Sequence, residues 1–352
     1  MPRSEQVVKT GDYIELRRWW QKVEKLPDGS FKCVSEEPEW DQDRLDDFWK
    51  YVFERQEMFM KRFIDRKPSP WTKDQVLHRN HFTNVYRELD RSTLYLLDHV
   101  YQIENERERF VRTIVYRILS SAADYESIIS ALGPGENLCD KDSDWITQWC
   151  KSKETSAGKF EIPNLPPNLR FDSTKETKTE AVFGSLIGPF LDKNNSYFRK
   201  ISKSEDLEGV FNVFLGIPSI GKFYAYEFTC DMIMMFLVPF SEDDWVSVGP
   251  GAERGIESVV KSYRGFTPEE VVQILRKKQK TEFKRLGLNF RYWMNRELTL
   301  RNIEQSLGSY YKWDKARTSG WSRRKFKYNG KDSDESYLKM LTNVCGVLPN
   351  GN

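Results

Sequence analysis

Apolar residues recur at three- and four-residue intervals along most of this chain, the spacing of amphipathic helices rather than strands. From Asp41 to Phe63 the series Leu45, Phe48, Trp49, Val52, Phe53, Phe59 and Phe63 marks one helix face, with Asp41 or Asp43 placed to cap its start. Prolines 68 and 70 end that element, and Thr72 is the predicted N-cap of the next. In the helix expected to follow, Asn84, Arg87 and Arg91 fall three and four residues apart and share one face. Helical spacing resumes from Leu94 to Leu132 through Ile103, Phe110, Ile114, Val115, Ile118 and Leu119, and Gly133-Pro134-Gly135 stops it. Phe223 to Val238 is apolar nearly all round, which predicts a buried helix. Thr267-Pro268-Glu269-Glu270 reads as an N-cap, a first-turn proline and a capping-box acid, opening a helix to about Arg285.

The predicted architecture is therefore mostly α, interrupted by irregular loops. Cys139 to Phe171 carries Pro163, Pro166 and Pro167, and Thr174 to Thr179 is polar. Three segments are expected: an N-terminal extension over 1–40, a helical core over 41–275 and a basic, aromatic-rich segment over 276–352 packed on that core.

Composition narrows the class. A 39% apolar and 14% aromatic content over 352 residues supports a real core. Met1 to Tyr13 lacks the apolar core of a signal peptide and no stretch reaches bilayer length, so an intracellular protein is expected, nuclear if the source is eukaryotic. Five scattered cysteines without a CxxC pair, and three histidines, form no zinc or iron–sulfur pattern, so no metal or cofactor is expected. The net charge of +2 conceals a block: Arg276 to Lys327 holds 16 lysines and arginines against four acids. Within and beyond it, Tyr310, Tyr311, Trp313, Trp321, Phe326 and Tyr328 interleave with Lys312, Lys315, Arg323, Arg324, Lys325 and Lys327. Cations for phosphates and rings for stacking predict a nucleic-acid partner; a solvated basic tail is the plainer alternative.

The richest stretch is Phe211 to Ile256. Its apolar run ends at Gly216-Ile-Pro-Ser-Ile-Gly221, and a second run starts after Lys222, which predicts a helical hairpin over 211–226. Gly221 is expected to supply a left-handed backbone, and the amides at Gly221 and Lys222 a phosphate contact. The same glycine and lysine spacing is that of a nucleotide-binding P-loop, but Phe223 stands where the magnesium-binding Ser/Thr is required. Downstream lie Glu242-Asp243-Asp244 and Gly249-Pro-Gly-Ala-Glu-Arg254-Gly-Ile. There the glycines permit close backbone approach, and Arg254 can hold an anion. Asp231, inside the apolar helix, is either an ion partner, with Arg87 the candidate, or part of a site.

Leu215 to Ala225 resembles the helix-hairpin-helix of DNA base-excision glycosylases, matching at Pro218, Ile220, Gly221 and Ala225. That likeness implies a two-lobed helical fold, with an essential aspartate about five helical turns' worth of residues past the lysine position, where Asp243 and Asp244 fall. Phe223 occupies the Schiff-base lysine position, so a glycosylase here would be monofunctional. Taken together, PWTKD (70–74), FTNVYRELDR (82–91), YEFTCD (226–231) and GPGAERGI (249–256) resemble the DNA base hypermodification family. It includes the alpha-glutamyl/putrescinyl thymine pyrophosphorylases and the helical domain of 5-hydroxymethyluridine DNA kinases. The resemblance implies an enzyme acting on a modified pyrimidine in DNA, flipped into a pocket between helical halves. Asp231, Asp243 and Asp244 are the expected catalytic acids, and Asn84, Arg87, Asp90, Arg91 and Arg254 the substrate-binding residues. Gly221, Lys222, Arg323, Arg324, Lys325 and Lys327 are expected to hold the DNA. Substitution at the C5 hydroxymethyl group, glycosidic cleavage, or non-catalytic reading of modified DNA are the three outcomes this sequence leaves open.

Overall fold

A computed structural model of the protein describes residues 23–25, 27, 31–33, 36–119, 121–152, 186–191, 194, 196–218, 220–320 and 331–346. The fold is mostly α. Among the described residues the α-helices in chain order are α1 (Gln42–Phe59), α2 (Gln75–Arg79), α3 (Arg91–His99), α4 (Glu106–Leu119), α5 (Ala122–Ile129) and α6 (Ser143–Ser152). They continue with α7 (Ser196–Ser202), α8 (Leu207–Leu215), α9 (Lys222–Met234), α10 (Pro250–Val259), α11 (Pro268–Arg285), α12 (Leu300–Ser319) and α13 (Lys331–Cys345). Strands are confined to two antiparallel pairs among the described residues: β1 (Val23–Lys25) with β2 (Phe31–Cys33), and β3 (Glu39–Trp40) with β4 (Val260–Ser262). The chain forms two compact units, each from two stretches: 1–85 with 248–327, and 86–247 with 328–352.

In the first unit α1 starts where expected, with the Asp41 side chain accepting from the Arg44 amide at 3.3 Å. Its stripe of Leu45, Phe48, Trp49, Val52 and Phe59 is fully buried. Phe48 meets Tyr310 edge-on at 5.6 Å and Trp49 meets Phe283 at 5.1 Å, so α1 packs on both α12 and α11. Tyr310 and Trp313, read above as stacking rings for nucleic acid, are core residues of this contact. The capping box at the head of α11 forms in full between Thr267 and Glu270. The cap predicted at Thr72 lies two residues late: Asp74 accepts from the Val76 and Leu77 amides, and the Thr72 hydroxyl, hydrogen-bonded to Glu54 at 2.5 Å, accepts from the Asp74 amide. The Trp313 indole donates to the other Asp74 oxygen at 3.0 Å, so the cap also anchors α12.

In this unit α10 and α12 approach closely. A Cβ placed on Gly255 would lie 2.3 Å from the Leu307 carbonyl oxygen. Gly308 likewise brings its backbone near that of Ala252. Gly251 and Gly255 of the 249–256 motif do admit a backbone, and that backbone is α12.

In the second unit Leu94, Leu96, Phe110, Ile114, Phe190, Phe214 and Phe228 are buried. The 226–231 stretch of α9 is buried except at Glu227. Tyr95 is sandwiched between His99 at 4.1 Å and Tyr116 at 4.8 Å. The Tyr337 hydroxyl of α13 donates to the Leu89 carbonyl at 2.6 Å, fastening that helix to the turn before α3.

Candidate functional site

The expected hairpin is present in the second unit. Asp206 caps α8 through the Gly209 amide at 2.7 Å, and Phe214 packs on Phe228 at 5.4 Å to hold α8 against α9. Ile217 and Ile220 are buried and plug the turn. Gly221 has φ −88° and ψ 172°, an extended conformation open to any residue, so the expected left-handed backbone is not formed. The missing side chain acts in another way. A Cβ at Gly221 would meet nothing within 4 Å, and no side chain caps α9, whose first residues Lys222 and Phe223 are exposed. That leaves an open, amide-bearing helix start with a cation beside it. The G-x-x-x-x-G-K spacing sits between two helices rather than after a strand, which is not the setting of a P-loop.

The acidic pair lies beside the same hairpin. Trp245 rests against Phe211 of α8 at 4.9 Å and Tyr226 of α9 at 6.0 Å, fixing the preceding turn. Within that turn the Ser241 amide donates to Asp244 Oδ2 at 2.7 Å and the Asp243 amide donates to Ser241 Oγ at 3.1 Å. Asp243 is half-buried and Asp244 exposed.

Asp231 has a different position. It is fully buried, and its Oδ1 accepts from Arg87 Nη2 and from Arg117 Nη2, each at 2.7 Å, while Oδ2 accepts from Arg117 Nε at 2.7 Å. Arg87 Nη1 also reaches Glu227 Oε2 at 2.5 Å. Two guanidiniums and two carboxylates thus neutralise one another inside the unit. Asp231 is thus an ion partner of Arg87. Arg117 was not among the expected residues. Its signal was legible: it follows Phe110 and Ile114 at helical spacing, putting a charge on an apolar stripe just as Asp231 does.

The predicted ridge of Asn84, Arg87 and Arg91 does not form as one helix face. Residues 81–86 are irregular, Arg87–Leu89 make a single 3-10 turn, and α3 begins only at Arg91. Tertiary bonds override helix formation here. Arg55 donates to the Asn84 side chain at 2.7 Å and to the Phe82 carbonyl at 3.2 Å, and Gln305 donates to the Asn84 carbonyl at 2.8 Å. Asn84 belongs to the first unit and Arg87 to the second. Asp90 sits at the N-cap of α3 without a capping side-chain bond, and Arg91 lies over the Tyr337 ring at 5.5 Å. Arg254 is exposed and lies over Tyr311 at 5.6 Å.

Part of the basic block is paired with acids distant in sequence, Glu37, Asp46, Asp47, Glu57 and Asp65, and part with the block's own acids. Lys278 bonds Glu37, Arg285 bonds Asp46 and Glu282, Arg291 bonds Glu57 and Asp65, Arg301 bonds Glu304, and Arg317 bonds Asp47 and Asp314. Arg323, Arg324, Lys325 and Lys327 lie outside the described residues, as does Ser219. Among the described residues no group of three or more His, Cys, Asp or Glu could hold a metal ion, and no helix is long and apolar enough to cross a membrane.

A family model described as 5-hmdU DNA kinase, helical domain, matches residues 42–322. A protein named 5-hmdU DNA kinase, from Bacillus phage SP10, is 27% identical over 352 residues, covering 92% of this chain and 54% of the relative. The chain thus spans about half the length of that relative. No solved structure matches.

Proposed function

We propose, from the premise that the chain belongs to the 5-hmdU DNA kinase helical-domain family, that it engages DNA containing 5-hydroxymethyluracil for modification at the C5 hydroxymethyl oxygen. The family match, which runs through both units, carries this reading. Two features of the second unit support it. The open start of α9 at Gly221 and Lys222 suits a backbone phosphate, and the turn bearing Asp243 and Asp244 is tied to the same hairpin by Trp245.

The chemistry asks little of the protein beyond placement and charge. The hydroxymethyl oxygen attacks the terminal phosphorus of a phosphoryl donor. One O–P bond forms as the bond to the leaving group breaks, and the hydroxyl proton passes to a base. Asp243 or Asp244 is the proposed base, since Asp244 is exposed, Asp243 is half-buried beside it, and Asp231 is fully buried against two guanidiniums. Arg254, on the first unit, is retained as a candidate anion contact.

Duplexes carrying one 5-hydroxymethyluracil or one thymine are to be compared for binding, and their nucleosides weighed after incubation with protein and a nucleoside triphosphate. Tighter binding of the modified duplex and a nucleoside heavier by one phosphoryl group are expected. Abasic sites would replace this reading with glycosidic cleavage. Tighter binding that survives Asp243→Asn and Asp244→Asn, with no product, would replace it with recognition alone. Equal binding with no product would end it.

A further inference from the structure

Between α11 and α12 the first unit carries a tight turn whose support is unusually complete. On its near side the Arg291 guanidinium bonds Glu57 at 2.6 Å and Asp65 at 2.9 Å, and the Arg291 carbonyl accepts from Gln56 Nε2 at 3.1 Å. Phe290 stacks on Phe283 at 4.3 Å, and Trp293 is buried edge-on against Phe59 at 5.5 Å. On its far side the Gln279 carboxamide clamps both backbone groups of Leu298, donating to its carbonyl at 3.0 Å and accepting from its amide at 2.8 Å.

Held at both ends, the turn places Met294 at φ 51° and Asn295 at φ 56°, and the Arg296 amide donates to the Trp293 carbonyl at 3.0 Å. Two successive positive φ values are the mark of a type I′ turn, ordinarily met by Asn-Gly. Asn295 tolerates that region, whereas an unbranched side chain such as that of Met294 crowds its own backbone there. No burial compensates, because Met294 is 63% exposed, with Asn295 and Arg296 exposed beside it. An apolar side chain kept strained and in water, on a braced mount, points to a use outside the folded chain.

We propose that Met294 is a wedge that enters the base stack of duplex DNA as the modified base leaves it. This rests on the reading of the chain as a DNA-engaging module. Removing a base from a duplex opens its stack, and a slender apolar side chain, methionine included, can fill such a gap. Asn295 offers an amide to base edges. A protein partner fits poorly, since a tip of three residues cannot supply the roughly 800 Å² per partner of a stable protein interface.

The test uses the full chain and a duplex with 2-aminopurine beside 5-hydroxymethyluracil. The unaltered protein is expected to raise 2-aminopurine fluorescence on binding. Met294→Gly, which relieves the strain, is expected to melt at or above the parent temperature and to bind a single strand as the parent does. It should lose most of the fluorescence rise and weaken duplex binding by about tenfold, the size of one lost apolar contact. Met294→Leu, which keeps a wedge, is expected to retain both. Binding of the modified duplex by the parent without a fluorescence rise, or a Gly variant that unstacks DNA as the parent does, overturns the wedge alone. No DNA binding by the parent overturns the wedge and the reading beneath it together.

Discussion

Replacing Asp231 by Asn separates a structural from a catalytic role at one position. The carboxylate is fully buried and takes three hydrogen bonds of 2.7 Å from Arg87 and Arg117. Asn keeps the shape but loses the charge, and its amide nitrogen turns two donors toward guanidinium N–H groups that are themselves donors. Two cations would then share the single carboxylate of Glu227. Breaking a buried pair by removing one partner costs about 3–5 kcal/mol, against a total stability of about 5–15 kcal/mol for a typical domain. In a unit of this size that lowers the melting temperature by on the order of 10 °C. Urea and thermal unfolding of Asp231→Asn measure the loss, and activity on modified DNA is read well below the lowered transition. The expected result is a large loss of stability with activity retained per folded molecule. A variant as stable as the parent but inactive would refute the reasoning and make Asp231 a residue that touches substrate.

The α10–α12 crossing predicts opposite outcomes for two glycines. Gly255→Ala, with its Cβ 2.3 Å from a backbone oxygen, should force the helices apart at about 1–3 kcal/mol or more. Gly251→Ala, whose nearest neighbour is 3.9 Å away, should be neutral or stabilise by up to about 1 kcal/mol, as urea midpoints would show. Burial works to raise the Asp314 carboxyl, but hydrogen bonds from Arg44 and Arg317 outweigh it and hold its pKa below the ordinary 3.8. A depressed folded value means its stabilising contribution is complete above about pH 4 and lost as pH falls through that lowered value. Asp314→Asn should remove that part of the acid-side slope in a pH series of unfolding curves. Burial, reinforced by Glu108, pushes the Cys139 thiol up to about 12, so iodoacetamide at pH 8 should label it only after unfolding, read by peptide mass.

The elements legible in the sequence were those specified by neighbours in the chain. The α1 stripe, the Asp41 cap, the Thr267–Glu270 box and the break after Leu215 each rest on residues within a few positions of one another. The features that were not legible depend on distant partners. Asn84 looked helical by spacing, yet Arg55 and Gln305 hold its segment irregular. The ion pairs that Arg285, Arg291 and Arg317 of the basic block make with Asp46, Asp47, Glu57 and Asp65 reach residues in or just after α1, more than two hundred residues earlier. Gly221 was recognisable as special, but its expected conformation was not adopted; what its lack of a side chain does is keep a helix start open.

The motifs that mark the family and the groups able to meet a substrate are mostly different residues. PWTKD contributes the Thr72–Glu54 bond and the Asp74 cap that receives Trp313. The Phe82–Asn84 segment is tied to Arg55, Gln305 and Ser309, the 249–256 motif is pressed on Leu307, and YEFTCD supplies Glu227 and Asp231 to a closed ion cluster. Substitutions at these positions should first report on folding, whatever assay is used. Among the described residues, accessible groups outside these motifs include the α9 start, the Asp243–Asp244 turn and the Met294 tip. All three lie at bends, where loss of a side chain removes little packing. A variant there that stays folded and loses DNA recognition therefore bears on function directly, which a change in the motifs cannot do without a stability measurement beside it.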